Sequence, residues 1–323
     1  MDWGKPTIAI LQCEQKEELH SSEGEAFLGL ESLLERVAAV LNITVDHEAV
    51  FQEDWVSEID DKKVVITKEV PMVAAVVTIG RFLRSIPSLD GVIYECCSMD
   101  CPLHEAFNEL ASAWKDRSHE QTFCVDLDVP AAIFIERKQL QTAQTQRLFL
   151  TRLYALTKFH QVKSSPSFAS LTNFHRSHKY LFMSLQPMVL KKLGGIVANA
   201  DKRSINDVFQ HYEQSLLALL SSSFSRGKHM NALQHMIGYF SKYVSTREKK
   251  NMEHLLQEYK DAEREDRSIL HLLYAWAKRY NEEYILEQTI FRPYPEGFVS
   301  HIEKISSSLI RLKVENESGV HHL

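Results

Sequence analysis

Apolar positions along the first 160 residues change period repeatedly, from unbroken runs to helical spacing and back. Thr7-Ile8-Ala9-Ile10-Leu11 is a short apolar run closing at Gln12-Cys13, and it predicts a buried strand. From Leu28 to Leu41 the apolar residues fall at 30, 33, 34, 37, 38 and 41, which predicts a helix. Val64 to Ile66 and Gly91 to Tyr94 read as further short strands, and Pro71 suits the first turn of a helix reaching about Ser85. His104 to Trp114 predicts a helix, Thr122 to Leu127 and Ala131 to Ile135 strands, and Thr142 to Phe159 a closing helix. Strands alternating with helices predict an α/β domain, an open and mostly parallel sheet covered by helices.

The pattern changes after Lys163-Ser164-Ser165-Pro166-Ser167, which predicts a boundary between a domain over 1–163 and another over 167–315. Beyond it only helical periodicity remains, so the second domain is expected to be all-α. Ser204 with Asp207, and Ser245 with Glu248, fit the capping box, in which the serine meets the N3 amide and the acid returns the bond. Gly194-Gly195 suggests a break, Arg226 to Val244 an amphipathic helix, and Pro293 with Pro295 the divide before the last helix. The tail from Glu315 to Leu323 reads as frayed.

Composition adds bounds. The chain has 323 residues, 44% hydrophobic and 25% charged, an ordinary soluble balance and more than one core usually holds. No apolar run approaches the roughly 20 residues that span a bilayer, and the N-terminus lacks the pattern of a secretory signal. A cytoplasmic protein without a membrane partner is expected, and its five cysteines then read as thiols or ligands before disulfides. Charge is uneven: residues 1–165 carry 16 Lys and Arg against 26 Asp and Glu, a net of −10. Residues 166–323 carry 21 against 17, a net of +4, and 172–242 alone carry 9 against 3. A basic surface of this kind suits a polyanion or a docking face for an acidic partner.

Ligands of open parallel sheets collect outside the carboxyl ends of the strands. Cys13 ends the first strand, and Cys96, Cys97 and Cys101 follow a later one; neighbouring strands would bring the four thiols to one crevice. Soft thiolates select zinc or an iron–sulfur cluster, yet the Cys-Cys-x-x-x-Cys spacing matches no standard zinc pattern. Cys97 and Cys124 equally suit small core positions. Cys13 after its strand, Ser98-Met99-Asp100-Cys101 and the helix from Ala143 to Phe159 make the first half similar to the thiouracil desulfidase (TudS) family. That resemblance implies a cluster, a [4Fe-4S] group, on Cys13, Cys101 and a middle cysteine. The middle position reads Val45-Asp46-His47-Glu48, so a hard carboxylate replaces a thiolate unless Cys96 or Cys97 substitutes. The resemblance makes Glu48 the acid/base candidate, and Asp100 takes the place of the serine before the third cysteine. These departures favour a degenerate, non-catalytic domain, with no cofactor, over a working desulfidase.

In the second half, Phe174 to Leu181, Arg226 to His235, Gly238-Tyr239-Phe240, Tyr284, Gln288 and Pro293-Tyr294-Pro295 resemble the YbgA-like family, whose chemistry is unsettled. On the helix from Arg226, the residues Lys228, Asn231, His235, Tyr239 and Lys242 share one face, opposite Met230, Leu233, Ile237, Phe240 and Val244. Cations, an amide, an imidazole and an aromatic ring suit phosphate contact with base stacking, although a solvated helix face has the same composition. His175 and Lys179, one turn apart on another helix, could join them, and so could Arg226. The histidines at 175, 178, 229 and 235 lack the cysteine or paired carboxylates that would complete a zinc site. No P-loop, Gly-x-Ser-x-Gly or His-Glu-x-x-His stretch is present. The expectation is an RNA-associated protein, tRNA being the substrate class the desulfidase resemblance implies. The alternative is a non-enzymatic module whose helical domain docks a protein partner or its own acidic domain.

Overall fold

The computed structural model describes residues 3–13, 25–46, 63–65, 79, 82–95, 102–116, 131–262 and 265–305. The chain divides into two compact units, one of residues 1–160 with 294–323 and one of residues 161–293.

The first unit is an α/β fold around a parallel sheet. Its strands are β1 (Thr7–Cys13), β2 (Ala39–Asp46), β3 (Lys63–Val65), β4 (Leu89–Glu95) and β5 (Ile133–Glu136), side by side in the order β3-β2-β1-β4-β5. Every pairing is parallel. Helices α1 (Glu25–Val37), α2 (Pro102–Asp116) and α3 (Ala143–Ser164) accompany it, with a helix over 296–305. Ile8 to Leu11 and Leu89 to Tyr94 are buried, as parallel strands covered on both faces must be. Gly91 lets α3 approach: a Cβ there would lie 2.9 Å from Leu153 Cδ1. At the amino edge of the sheet, the buried Asp90 accepts the Thr7 amide at 2.9 Å and meets His160 Nδ1 at 2.7 Å.

The expected fold class is present, with one element misread. The predicted helix from Leu28 to Leu41 stops at Val37, and Ala39 to Asp46 is a strand. The apolar run from Val37 to Leu41 satisfies both periods, and the β-branched residues Val40, Ile43, Thr44 and Val45 favour the extended form beside β1. The strand expected at Thr122 to Leu127 and most of the helix expected from Pro71 lie outside the described residues, as do the tail, Cys124, Glu48, Asp100, Cys96, Cys97 and Cys101.

The second unit is helical, with no strand among its described residues. It comprises α4 (Phe168–Leu185), α5 (Pro187–Ala198), α6 (Ile205–Ser221), α7 (Arg226–Gly238), α8 (Thr246–Lys260) and α9 (Arg267–Arg279). A helical turn at Glu283–Leu286 and a 3-10 turn at Thr289–Phe291 follow. Phe182, Tyr212, Leu216, Leu233, Met236 and Trp276 build its core.

The capping reading holds at Ser245 and Glu248, which form the reciprocal box. At Ser204 only half of it forms: the Asp207 carboxylate, one methylene shorter than glutamate, takes the Ser204 hydroxyl at 2.7 Å instead of the backbone amide. A box not foreseen joins Ser167 and Ser170 at the start of α4. Gly194 and Gly195 do not break α5, which ends at Asn199 in the left-handed conformation (φ 44°). The expected helix from Arg226 to Val244 ends at Gly238. The Tyr239 and Phe240 amides bond three residues back, the chain turns, and Phe240 enters the core against Trp276.

Candidate functional site

In the sheet, the strand order reverses between β1 and β4, the point at which open α/β sheets hold ligands. Backbone placement brings part of the thiol reading to this edge. Cys13 ends β1 opposite Val45, and Asp46 closes β2 one residue further. On the other side Gln12 pairs with Glu95, the last residue of β4, after which the chain reads Cys96-Cys97. A carboxylate at the Asp46 position does not fit a cluster held by three thiolates, because a hard oxygen donor suits iron–sulfur ligation poorly. Among the described residues no three His, Cys, Asp or Glu side chains gather as a metal site.

The described side chains of this edge are carboxylates and their counterions. Arg137 meets Glu95 at 2.5 Å and Glu31 at 3.7 Å, and Lys138 meets Glu136 at 2.5 Å. Burial, and secondarily the charge of Glu136, push the Tyr94 hydroxyl up to about 12, so it stays protonated and donates to Asn108.

The helical unit gathers a different set. Arg176, Lys179 and Tyr180 lie three and four residues apart on α4 and therefore share a face. Tyr239, capping α7, and Tyr284, from the turn at Glu283–Leu286, close on Tyr180: ring centroids are 6.4 Å apart for Tyr180 and Tyr239, 6.2 Å for Tyr180 and Tyr284, and 5.9 Å for Tyr239 and Tyr284. Lys179 Nζ lies 5.4 Å from the Tyr180 ring and 5.9 Å from the Tyr284 ring, with the Arg176 guanidinium 5.5 Å from the latter. These are cation–π distances, which keep two cations at an aromatic surface. Arg176 also pairs with Glu287. Burial, then a hydrogen bond with Tyr239, raises the Tyr180 hydroxyl above its usual range, and burial raises Tyr284. Both stay protonated at neutral pH.

One buried side chain ties this cluster together. Gln288 Nε2 donates to the carbonyls of Arg176 (3.0 Å) and Tyr284 (3.1 Å), so the turn carrying Tyr284 is fastened to α4. Thr289 Oγ1 donates to the Ser177 carbonyl at 3.3 Å.

The residues expected to form an RNA face divide. Lys228 and Asn231 are half-exposed and His235 is exposed, along the side of α7 that leads to Tyr239. Lys242 is exposed but sits in the turn after the helix. The buried side of α7 is His229, Ala232, Leu233 and Met236; Met230 and Ile237, expected inside, are only partly covered. Arg226 is directed inward: its guanidinium stacks 4.6 Å over the Tyr259 ring and donates to the Tyr259 carbonyl. His175 Nδ1 meets the Tyr212 hydroxyl at 3.1 Å, and burial, then the charge of Lys179, lowers its affinity for a proton. His178 is a core residue, bonded to the Phe174 carbonyl and set between Phe174 and Phe182, and His229 pairs with Asp266. Arg176, Tyr180 and Tyr284 were missed as site residues. The spacing on α4 was a usable signal for the first two; Tyr284 was marked only by the YbgA-like resemblance, which gave it no role.

Comparison with known proteins finds a family match within the helical half. Residues 179–295, the stretch holding the tyrosine cluster from Lys179 on and Gln288, match the family described as protein of unknown function (DUF1722). The chain is 25% identical over 148 residues to the uncharacterized protein YbgA of Escherichia coli (strain K12), covering 45% of this chain and 88% of that protein. The helical half is thus YbgA-like. The family match leaves residues 1–178 uncovered, and no solved structure matches the chain. No helix among the described residues is long and apolar enough to cross a membrane.

Proposed function

We propose that this protein associates with RNA, tRNA in particular, through its helical unit, and that the α/β unit is a degenerate relative of thiouracil desulfidases. The observation that carries the RNA reading is the stripe from Lys228 through Asn231 and His235 to Tyr239, continued by Tyr284 under Lys179 and Arg176. Cations beside partly exposed tyrosines offer phosphate contacts and π faces together, the combination that single-stranded regions of RNA require. Residues 161–293 carry 19 Lys and Arg against 13 Asp and Glu, a net of +6 that favours such a ligand. Lys242 extends this face, whereas His175 and Arg226 are engaged by Tyr212 and Tyr259.

For the α/β unit, the carboxylate at Asp46 supports the degenerate reading, since desulfidation as the family implies it needs three thiolates. Glu48, Asp100, Cys96, Cys97 and Cys101 remain the residues to test there. Titration of tRNA at rising salt is the direct experiment. Binding is expected at low salt and weakens as salt rises, with a slope reduced by about 0.7–0.9 for each phosphate contact removed in Lys179→Ala and Lys228→Ala. Absence of binding at low salt would overturn the RNA reading. Iron and sulfide assays after anaerobic reconstitution test the other half: a stoichiometric cluster would overturn the degenerate reading.

A further inference from the structure

Resting on the RNA association above, we propose that the ring of Tyr243 is a preformed stacking platform for one unpaired nucleobase of a single-stranded segment. The turn after α7 anchors itself by Phe240 and Val244, both buried, and holds Tyr243 out between them at 61% exposure. The exposed ring is nonetheless held. Tyr280 stacks against it at 5.3 Å between centroids with planes 28° apart, and the Tyr280 hydroxyl donates to the Tyr243 carbonyl at 3.1 Å. Tyr280 leans in turn on Phe240 (6.2 Å) and Phe240 on Trp276 (5.8 Å), so a ladder of rings climbs from the core to the surface. Two further hydrogen bonds onto the Phe240 carbonyl, from the amides of Tyr243 (2.9 Å) and Val244 (3.1 Å), fix the turn. A ring fixed on one side by another ring and otherwise open offers a flat π surface whose ordering cost is already met, as base stacking favours.

The charges near it in the chain favour one kind of occupant. Lys242, Arg247, Lys249 and Lys250 are exposed within seven residues of Tyr243, and the acid among them, Glu248, is engaged by Arg279 and by the Ser245 amide. Arg279 also stands 5.8 Å from the Tyr280 ring, which places its ion pair with Glu248 beside the stack. An apolar protein surface gains nothing from these exposed cations, whereas a phosphate backbone with an extruded base matches both features.

The test uses the full chain, a short single-stranded RNA carrying 2-aminopurine, and the same sequence as a duplex. The fluorescent base should be quenched on binding. Tyr243→Ala should abolish the quenching and weaken the single strand about tenfold, the worth of one base–aromatic stack. Tyr243→Phe should retain both, and duplex affinity should change less than about twofold in either variant. Binding of both RNAs with Tyr243→Ala indistinguishable from the parent would overturn the platform and leave the RNA association standing. Failure of both RNAs to bind at low salt would overturn the association itself. Displacement by polyglutamate with equal sensitivity to Tyr243→Ala would assign the ring to an acidic peptide and overturn the nucleobase.

Discussion

Gln288→Ala is the perturbation that most directly tests how the tyrosine cluster is held. The side chain is 1% exposed, and its amide serves two backbone carbonyls on different elements, Arg176 on α4 and Tyr284 on the following turn. The Arg176 carbonyl lies inside a helix and keeps its helical donor, so its loss is partial; the Tyr284 carbonyl, near a helix end, loses more. An unmet buried acceptor costs about 1–3 kcal/mol, which puts the polar part near 2 kcal/mol. The one deleted methylene adds about 0.8 kcal/mol of lost burial. Together Gln288→Ala should lower the local opening free energy by about 3 kcal/mol, whereas Gln288→Met, which restores bulk without the amide, should recover only the packing share. Hydrogen exchange by mass spectrometry on the full chain, read over 176–185 and 284–291, measures this locally. Protection should fall by two orders of magnitude or more in the alanine variant, at about 1.4 kcal/mol per tenfold, and by one to two in the methionine variant. Methionine protection equal to wild type would refute the claim that the two hydrogen bonds hold the turn.

Three further outcomes follow from other contacts. Asp90→Ala leaves the Thr7 amide and the His160 imidazole without the carboxylate they share, and breaking a buried pair of this kind should cost about 3 kcal/mol in urea denaturation; a loss under about 1 kcal/mol would show the pair to be dispensable. His175 is held below its ordinary 6.5 by burial and then by Lys179, so its contribution to stability is full above 6.5 and is lost as pH falls through the lowered value. Thermal melts from about pH 7 to about pH 5 should therefore show a decline that His175→Gln flattens, and an equal decline in both proteins would contradict the assignment. Glu248 is lowered from 4.5 to about 2, first by the Ser245 amide and then by Arg279, so its stabilisation is present above 4.5 and disappears as pH falls through 2. Glu248→Gln should melt earlier than the parent at neutral pH and converge with it in strong acid; a constant difference across the range would count against the cap.

Periodicity exposed most of this architecture because most elements have one dominant pattern. Thr7 to Leu11 and Gly91 to Tyr94 are apolar on both faces, which only a covered parallel strand requires, and β1 and β4 are indeed neighbours. Residues 37 to 41 failed as a guide because five consecutive apolar side chains satisfy a helix stripe and a buried strand equally, and pairing with β1 decides between them. Likewise the helical wheel from Arg226 onward assumed a length the helix does not reach, since it ends at Gly238; the turn there moves Lys242 off the helix while keeping Phe240 and Val244 inside.

The candidate surface divides along the same line. The exposed side of α7 through Lys228, Asn231 and His235 was legible, because one helix face is a local property of spacing. Tyr239 was legible with it, but its convergence with Tyr180 and Tyr284 was not, because that depends on remote partners: Tyr284 meets Tyr180 across 104 positions of sequence, and Gln288 reaches Arg176 across 112. Composition shows eleven tyrosines without indicating which of them converge. What separates a scattered surface tyrosine from a binding element is the set of contacts behind it, and here Gln288 behind Tyr284 and the Tyr280–Phe240–Trp276 ladder behind Tyr243 supply that distinction. On the proposed RNA reading, substitutions behind the rings should weaken RNA binding nearly as much as substitutions of the rings themselves, whereas changes at exposed residues without such backing, such as Met188, should leave it unchanged in the same salt titration.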